Sequence, residues 1–159
     1  MYYRYGSTTS ISCGNAVSAN SRHIYDVSDN VYLDGTLIKT TTNTYTYNSS
    51  QSTILIFKAA RSNYYSDYKL HNFKLYDGDI LVRHLLPCTY YGEPGMWDSV
   101  NNKFYGNIGT GTFVLGPKIN LEEYEYLQGS GSSTHISTGL TTKSNVTTKY
   151  SFGIKLGAV

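Results

Sequence analysis

The chain is short of charge, of cysteine and of long apolar runs, and each shortage closes off a class of explanation. Asp, Glu, Lys and Arg make up 15% of its 159 residues, well under the roughly 25% of an average domain. The formal net charge of +2 is too small and too dispersed for the basic footprint of a nucleic-acid binder. The two cysteines, Cys13 and Cys88, have no local spacing motif and read as buried thiols rather than a disulfide framework. No apolar run approaches the roughly 20 residues that span a bilayer, and no secretory h-region follows Met1, so neither a membrane helix nor a signal peptide is expected. His23, His71, His84 and His135 lack i, i+2 or i, i+4 pairing and a companion carboxylate cluster, so no zinc site is expected. Gly106 to Gly111 lacks the Lys-Ser/Thr signature and following helix of a phosphate loop.

What the chain does have is tyrosine, 17 of them, with abundant Thr and Ser, residue types that suit a pleated, half-buried surface. At this length one domain can bury about two-thirds of its unfolded surface without a covalent staple. Asp34-Gly35 stands between Val31-Tyr32-Leu33 and Thr36-Leu37-Ile38, the strongest local sign of a hairpin. A two-residue loop there sets Leu33 opposite Thr36 and Val31 opposite Ile38, with Tyr32 and Leu37 on the other face. Asp29-Asn30 reads as the preceding turn, from His23–Val27, so these strands form a meander. Asp77-Gly78 and Asn101-Asn102 repeat the two-residue device downstream.

Further strands are expected near Tyr2 to Tyr5, Ser10 to Cys13, Thr53 to Lys58, Tyr68 to Leu75, Ile80 to Leu86, Met96 to Asp98, Lys103 to Tyr105 and Thr112 to Val114. Nothing signals a helix. Apolar parity changes between Tyr68/Leu70 and Phe73/Leu75, which predicts a β-bulge near His71-Asn72. Thr40 to Ser52 alternates Thr with Tyr and reads equally as an exposed edge strand or a long loop.

The string KLYDGDILVRHLLPC, then Gly95-Met96-Trp97-Asp98-Ser99-Val100-Asn101-Asn102-Lys103-Phe104-Tyr105 and Gly109-Thr110-Gly111-Thr112-Phe113, resembles the end of concanavalin A-like (laminin-G-like) jelly-roll domains, common in phage structural proteins and surface proteins of gut bacteria. VYLDGTLI is similar to an earlier hairpin of the same family. The resemblance covers about Tyr25 to Val114 and implies an all-β fold, an antiparallel two-sheet β-sandwich. The segment that usually opens such domains instead comes last here, as Tyr124-Glu125-Tyr126-Leu127-Gln128-Gly129 through Ile136-Ser137-Thr138-Gly139-Leu140 and then Val146 to Leu156. The order looks circularly permuted: residues 1–118 form the main body and residues 119–159 supply the family's N-terminal strands, completing the sandwich.

Three arrangements fit that order: a true permutant that completes itself, a homo-oligomer in which the tail is exchanged with a neighbour, or a window cut from tandem copies. Self-completion is favoured, because closing the linker from Gly116-Pro117-Lys118 onward costs little chain entropy. Strand exchange remains in play because a body without the tail would expose an unpaired edge.

The same superfamily includes glucanases, whose catalytic carboxylates sit on alternate residues of one strand, about 5 Å apart in retaining enzymes. This chain has no Glu-x-Asp-x-Glu strand; Glu93 falls in a Gly-Pro loop and Glu122, Glu123 and Glu125 in the linker. It therefore reads as a non-enzyme. The resemblance also leaves calcium open as a cofactor, through loop oxygens near Asp77 and Asp79, although turn formation explains those residues better.

Binding is what remains. Tyr64-Tyr65 and Tyr90-Tyr91 are paired in predicted loops, where both members of a pair reach solvent and can stack on the apolar side of a sugar ring. Tyr64, Tyr65, Tyr90 and Tyr91 are the candidate glycan contacts, against the plainer reading that most tyrosines here are sandwich packing. Trp97 reads as core. The expected role is a non-catalytic, lectin-like domain on a phage virion appendage or decoration protein, among other virion proteins and reaching the extracellular space by lysis. The alternative is a purely structural virion module with no glycan ligand.

Overall fold

In the computed structural model, which describes residues 2–3, 11–12, 20–28, 30–40, 53–58, 63–119, 124–141 and 148–155, every regular element among the described residues is a β-strand. In chain order these are β1 (Tyr2–Tyr3), β2 (Ile11–Ser12), β3 (Arg22–Val27), β4 (Asn30–Leu33), β5 (Thr36–Thr40), β6 (Thr53–Ile56), β7 (Lys69–Asp77) and β8 (Ile80–Tyr90), then β9 (Glu93–Asp98), β10 (Lys103–Gly106), β11 (Val114–Leu115), β12 (Leu127–Gln128), β13 (Ile136–Thr141) and β14 (Thr148–Lys155). A ten-stranded sheet has the order β10-β9-β8-β7-β14-β3-β4-β5, with β12 joined to β7 and β11 to β12. Two smaller sheets pair β6 with β13 and β1 with β2. All pairings are antiparallel. Thr40 to Ser52, Cys13 and Asp29 fall wholly or mostly outside the described residues.

The C-terminal strand lies in the middle of the large sheet. Phe152 of β14 stands opposite Tyr25 of β3 on one side and Phe73 of β7 on the other. On its far side β7 forks: Phe73–Asp77 pair with β8, whereas Lys69 and Leu70 pair with β12. His71 is the extra residue at that fork, because Gly153 faces Asn72 while Ile154 faces Leu70. This is the bulge that the parity change predicts.

Alternation decides which side chains go inside. Tyr25, Val27, Phe73, Leu75, Leu85 and Met96 of the large sheet are buried in one cluster with Ile56 of β6 and Ile136 of β13, so the small sheet covers the inner face of the large one. Half-buried Tyr68 packs its ring 4.8 Å from Phe57, and desolvation pushes its phenol up to about 12.

Three hairpins depart from the expected register. Asp34 and Gly35 both take positive φ, 50° and 78°, the left-handed pair of a type I′ turn. Leu33 does face Thr36 and Tyr32 faces Leu37, but a bulge then sets Val31 opposite Lys39 rather than Ile38. The β7–β8 loop is Gly78-Asp79, not Asp77-Gly78, since Asp77 already pairs with Ile80; Gly78, with φ 60°, supplies the first central position of a Gly-X turn. The β9–β10 connection is a four-residue loop, Ser99 to Asn102, because Asp98 pairs with Lys103.

Asp98 explains that last departure. Its side chain is 0% exposed, and its Oδ1 accepts hydrogen bonds from the backbone N–H groups of His84 and Val100, both at 3.1 Å. Its Oδ2 accepts one from Asn101 Nδ2 at 2.9 Å and faces Arg83 Nε at 3.4 Å. A buried charge is tolerated only when satisfied in this way, and satisfying it requires the longer loop.

Candidate functional site

Burial in the β8–β9–β10 hairpins alternates around the inward Leu85, Met96 and Tyr105, so Leu86, Trp97 and Phe104 form one row across the opposite, outer face. Trp97 is thus half-buried on the outside rather than in the core. The reason is parity: Met96 and Asp98 both point inward, which forces the residue between them outward.

Beside this row, β8 runs on to Tyr90, which pairs with Glu93, so Tyr90 ends a strand rather than sitting in a loop. Its ring is stacked on Phe104 with centroids 5.2 Å apart and planes 27° apart, and lies 6.1 Å from Trp97. Tyr91 meets it edge to face at 4.5 Å. Gly95 makes the close fit of this shelf: a Cβ there would come within 2.5 Å of the Phe104 ring and of the Tyr105 carbonyl oxygen. Tyr90 remains 45% exposed and Tyr91 91% exposed.

Tyr91 and Gly92 form the two-residue turn, with φ of 49° and 84°. Asn or Asp is the usual first residue of such a turn; placing a tyrosine in left-handed conformation costs about 1 kcal/mol.

The other nominated pair sits elsewhere. Tyr64 is 79% exposed, whereas Tyr65 is half-buried, forms an isolated bridge with Lys58 and lies 6.2 Å from the His135 ring. Lys58 Nζ is 5.5 Å from the Tyr65 centroid. Desolvation, helped by Lys58, holds His135 below its ordinary value of 6.5. Tyr65 is thus engaged in local packing, while Tyr90 and Tyr91 share one patch.

A second feature adjoins the shelf. Where β7 and β8 part beyond the Phe73–Leu85 pair, a cavity of about 190 Å³ opens between Arg22, Asn72, Leu86, Ile119, Tyr124 and Glu125. The Tyr124 N–H donates to the Pro87 carbonyl at 3.1 Å, which fixes that wall to β8. His84, opposite Lys74 nearer the other end of β8, is held below 6.5 by desolvation and then by Lys74, with Asp98 opposing.

Comparison with protein-family models, with curated proteins and with solved structures finds no match for this chain. The site therefore stands on its own geometry. Among the described residues no group of three or more His, Cys, Asp or Glu side chains is arranged to hold a metal ion, and no helix is long and apolar enough to cross a membrane. Asp77 and Asp79 are exposed at the ends of their turn.

Sequence reasoning nominated Tyr90 and Tyr91 and did not single out Trp97, Phe104 and Leu86, which the structure sets on the same face beside Tyr90. The signal was available in the alternation of Met96-Trp97-Asp98, had the aspartate been taken as an inward residue.

Proposed function

We propose that this chain is a non-catalytic carbohydrate-binding domain, a concanavalin A-like two-sheet sandwich carried on a phage virion appendage or decoration protein beside other virion proteins. The aromatic shelf of Tyr90, Tyr91, Trp97 and Phe104 is its contact with host-surface or mucosal glycans. One observation carries the reading: an aromatic stack lies on the solvent face of a rigid sheet and ends in a tyrosine that is 91% exposed in a left-handed turn. Its edge-to-face contact with Tyr90 leaves most of the Tyr91 ring in solvent, and a sugar ring presents an apolar face to stack on it. Glu93, opposite Tyr90, adds an acceptor for hydroxyl groups at the shelf's edge.

The two carboxylates of β9 do not form a retaining pair. Glu93 is exposed at its start and Asp98 is buried at its end on the opposite face, about 17 Å apart along the strand and far from the roughly 5 Å of a retaining pair. A glycan array probed with the purified chain tests the reading. Binding to at least one glycan class, lost in Tyr90→Ala and Trp97→Ala while both variants still melt cooperatively, is the expected result. Silence across diverse bacterial and host glycans would remove it.

A further inference from the structure

We infer that the shelf is one half of an elongated cleft whose other half, a notch of mixed polar and apolar lining at the fork of β7, reads the hydroxyl groups of a linear, uncharged oligosaccharide; the inference rests on the carbohydrate-binding reading above. At about 190 Å³ the notch is smaller than the 300 Å³ or so at which independent small-molecule sites begin, so it suits one end of a longer ligand. It is continuous with the shelf, because Leu86 lines the notch and also stands opposite Trp97, which in turn faces Phe104.

The floor continues the same line on the other side of the fork. Gly153 of β14 pairs with Asn72, and a Cβ at Gly153 would lie 3.5 Å from the Arg22 guanidinium and 3.7 Å from Asn72 Nδ2. Arg22 thus reaches across β14 over the Gly153 backbone and lies beside the Asn72 amide, close enough that a Cβ there would just touch both. From Gly153 on β14 to Phe104 on β10 is four interstrand steps, or at least about 19 Å at the usual spacing, enough for several sugar units end to end.

The polar lining bears on the class of ligand. Arg22 and the Asn72 amide supply N–H donors, Glu125 supplies acceptors, the imidazole of His71 also lines the notch, and neither Arg22 nor Glu125 is in an ion pair among the described residues. A sugar hydroxyl both donates and accepts, so neighbouring hydroxyls satisfy both kinds of group at once. An acidic sugar would gain from Arg22 but meet Glu125, and the opposed charges of these two residues give the notch no net preference for an anion.

Calorimetric titration of the full chain with ladders of glucose, N-acetylglucosamine and galacturonic acid oligomers, monomer to hexamer, tests this. A neutral ladder should gain affinity with length. Arg22→Ala, at an exposed position, and separately Asn72→Ala should each lower hexamer affinity about tenfold, the scale of one lost hydrogen bond to or from a charged or well-placed group, and collapse the ratio of long to short affinity. No gain with length, an Arg22→Ala hexamer affinity equal to wild type, or tighter binding of the acidic ladder would each overturn the inference while leaving the shelf intact. Unchanged binding in Tyr90→Ala would instead overturn the shelf, and absence of binding at every length would overturn both.

Discussion

Replacing Asp98 by alanine should destabilise the fold strongly, and the size of the effect follows from its contacts. The carboxylate is fully buried and serves two backbone N–H groups, the Asn101 amide and the Arg83 guanidinium. Truncation leaves the His84 and Val100 amides without their acceptor, at about 1–3 kcal/mol each where water cannot replace it, and takes the carboxylate from a half-buried Arg83, which keeps the Val82 and Thr138 carbonyls at 2.7 and 3.5 Å. Asn101 retains the Val82 carbonyl at 2.8 Å and loses less. The loss comes to about 3–5 kcal/mol, in line with breaking other buried charge pairs, against the 5–15 kcal/mol total of a typical domain. Asp98→Asn should fall between, since its amide oxygen still accepts while its NH₂ group faces donors. The assay is urea unfolding followed by fluorescence of the single tryptophan, Trp97, one residue away. An Asp98→Ala midpoint corresponding to a loss under about 1 kcal/mol would refute the account of the β9–β10 loop.

Removing residues 119–159 deletes β12, β13 and β14, the last of which is paired on both sides, and should give insoluble or unfolded protein; a soluble, cooperatively melting fragment of residues 1–118 would contradict this. Asp34 is held below its ordinary carboxyl value of 3.8, first by its hydrogen bond with His23 at 2.8 Å and then by the Ile24 N–H. Because the folded value is the lower one, this contribution is complete above 3.8 and disappears as pH falls through the folded value. Asp34→Asn should therefore be less stable than wild type at neutral pH, by a small and salt-sensitive margin because the carboxylate is half exposed. The two melting temperatures should converge in acid, and a constant difference would sink the assignment.

The parts of the fold legible in the sequence were those fixed by local chemistry. Asp34-Gly35 specified its hairpin because only certain residues adopt left-handed φ cheaply. The parity change around His71 located the bulge, because side-chain alternation has a strict period of two. Registers that depend on partners far along the chain were not legible: the bulge opposite Val31, the shift to Gly78-Asp79 and the four-residue loop under Asp98 reflect what the facing strand and the core demand. The place of β14 between β3 and β7 is likewise a matter of long-range pairing, which no local pattern encodes.

The shelf was missed for a related reason, and Asp98 shows how. Sequence reading assigns apolar residues inward and charged residues outward, so in Met96-Trp97-Asp98 the tryptophan goes to the core. The strand permits only alternation, and three donors plus Arg83 converge on the Asp98 carboxylate from the inner side. Once Asp98 is inside, Trp97 must be outside, and Phe104, its cross-strand neighbour, goes with it. Two large aromatics on a solvent face then need cover, which Tyr90 supplies by stacking on Phe104 over the bare backbone of Gly95. Tyr91 is not needed for that cover: it is 91% exposed and sits at a strained φ of 49°. A residue that costs conformational energy and returns little burial is the place where selection for contact with something else is most economically inferred. For that reason the functional reading rests on this turn rather than on the abundance of tyrosine in the chain.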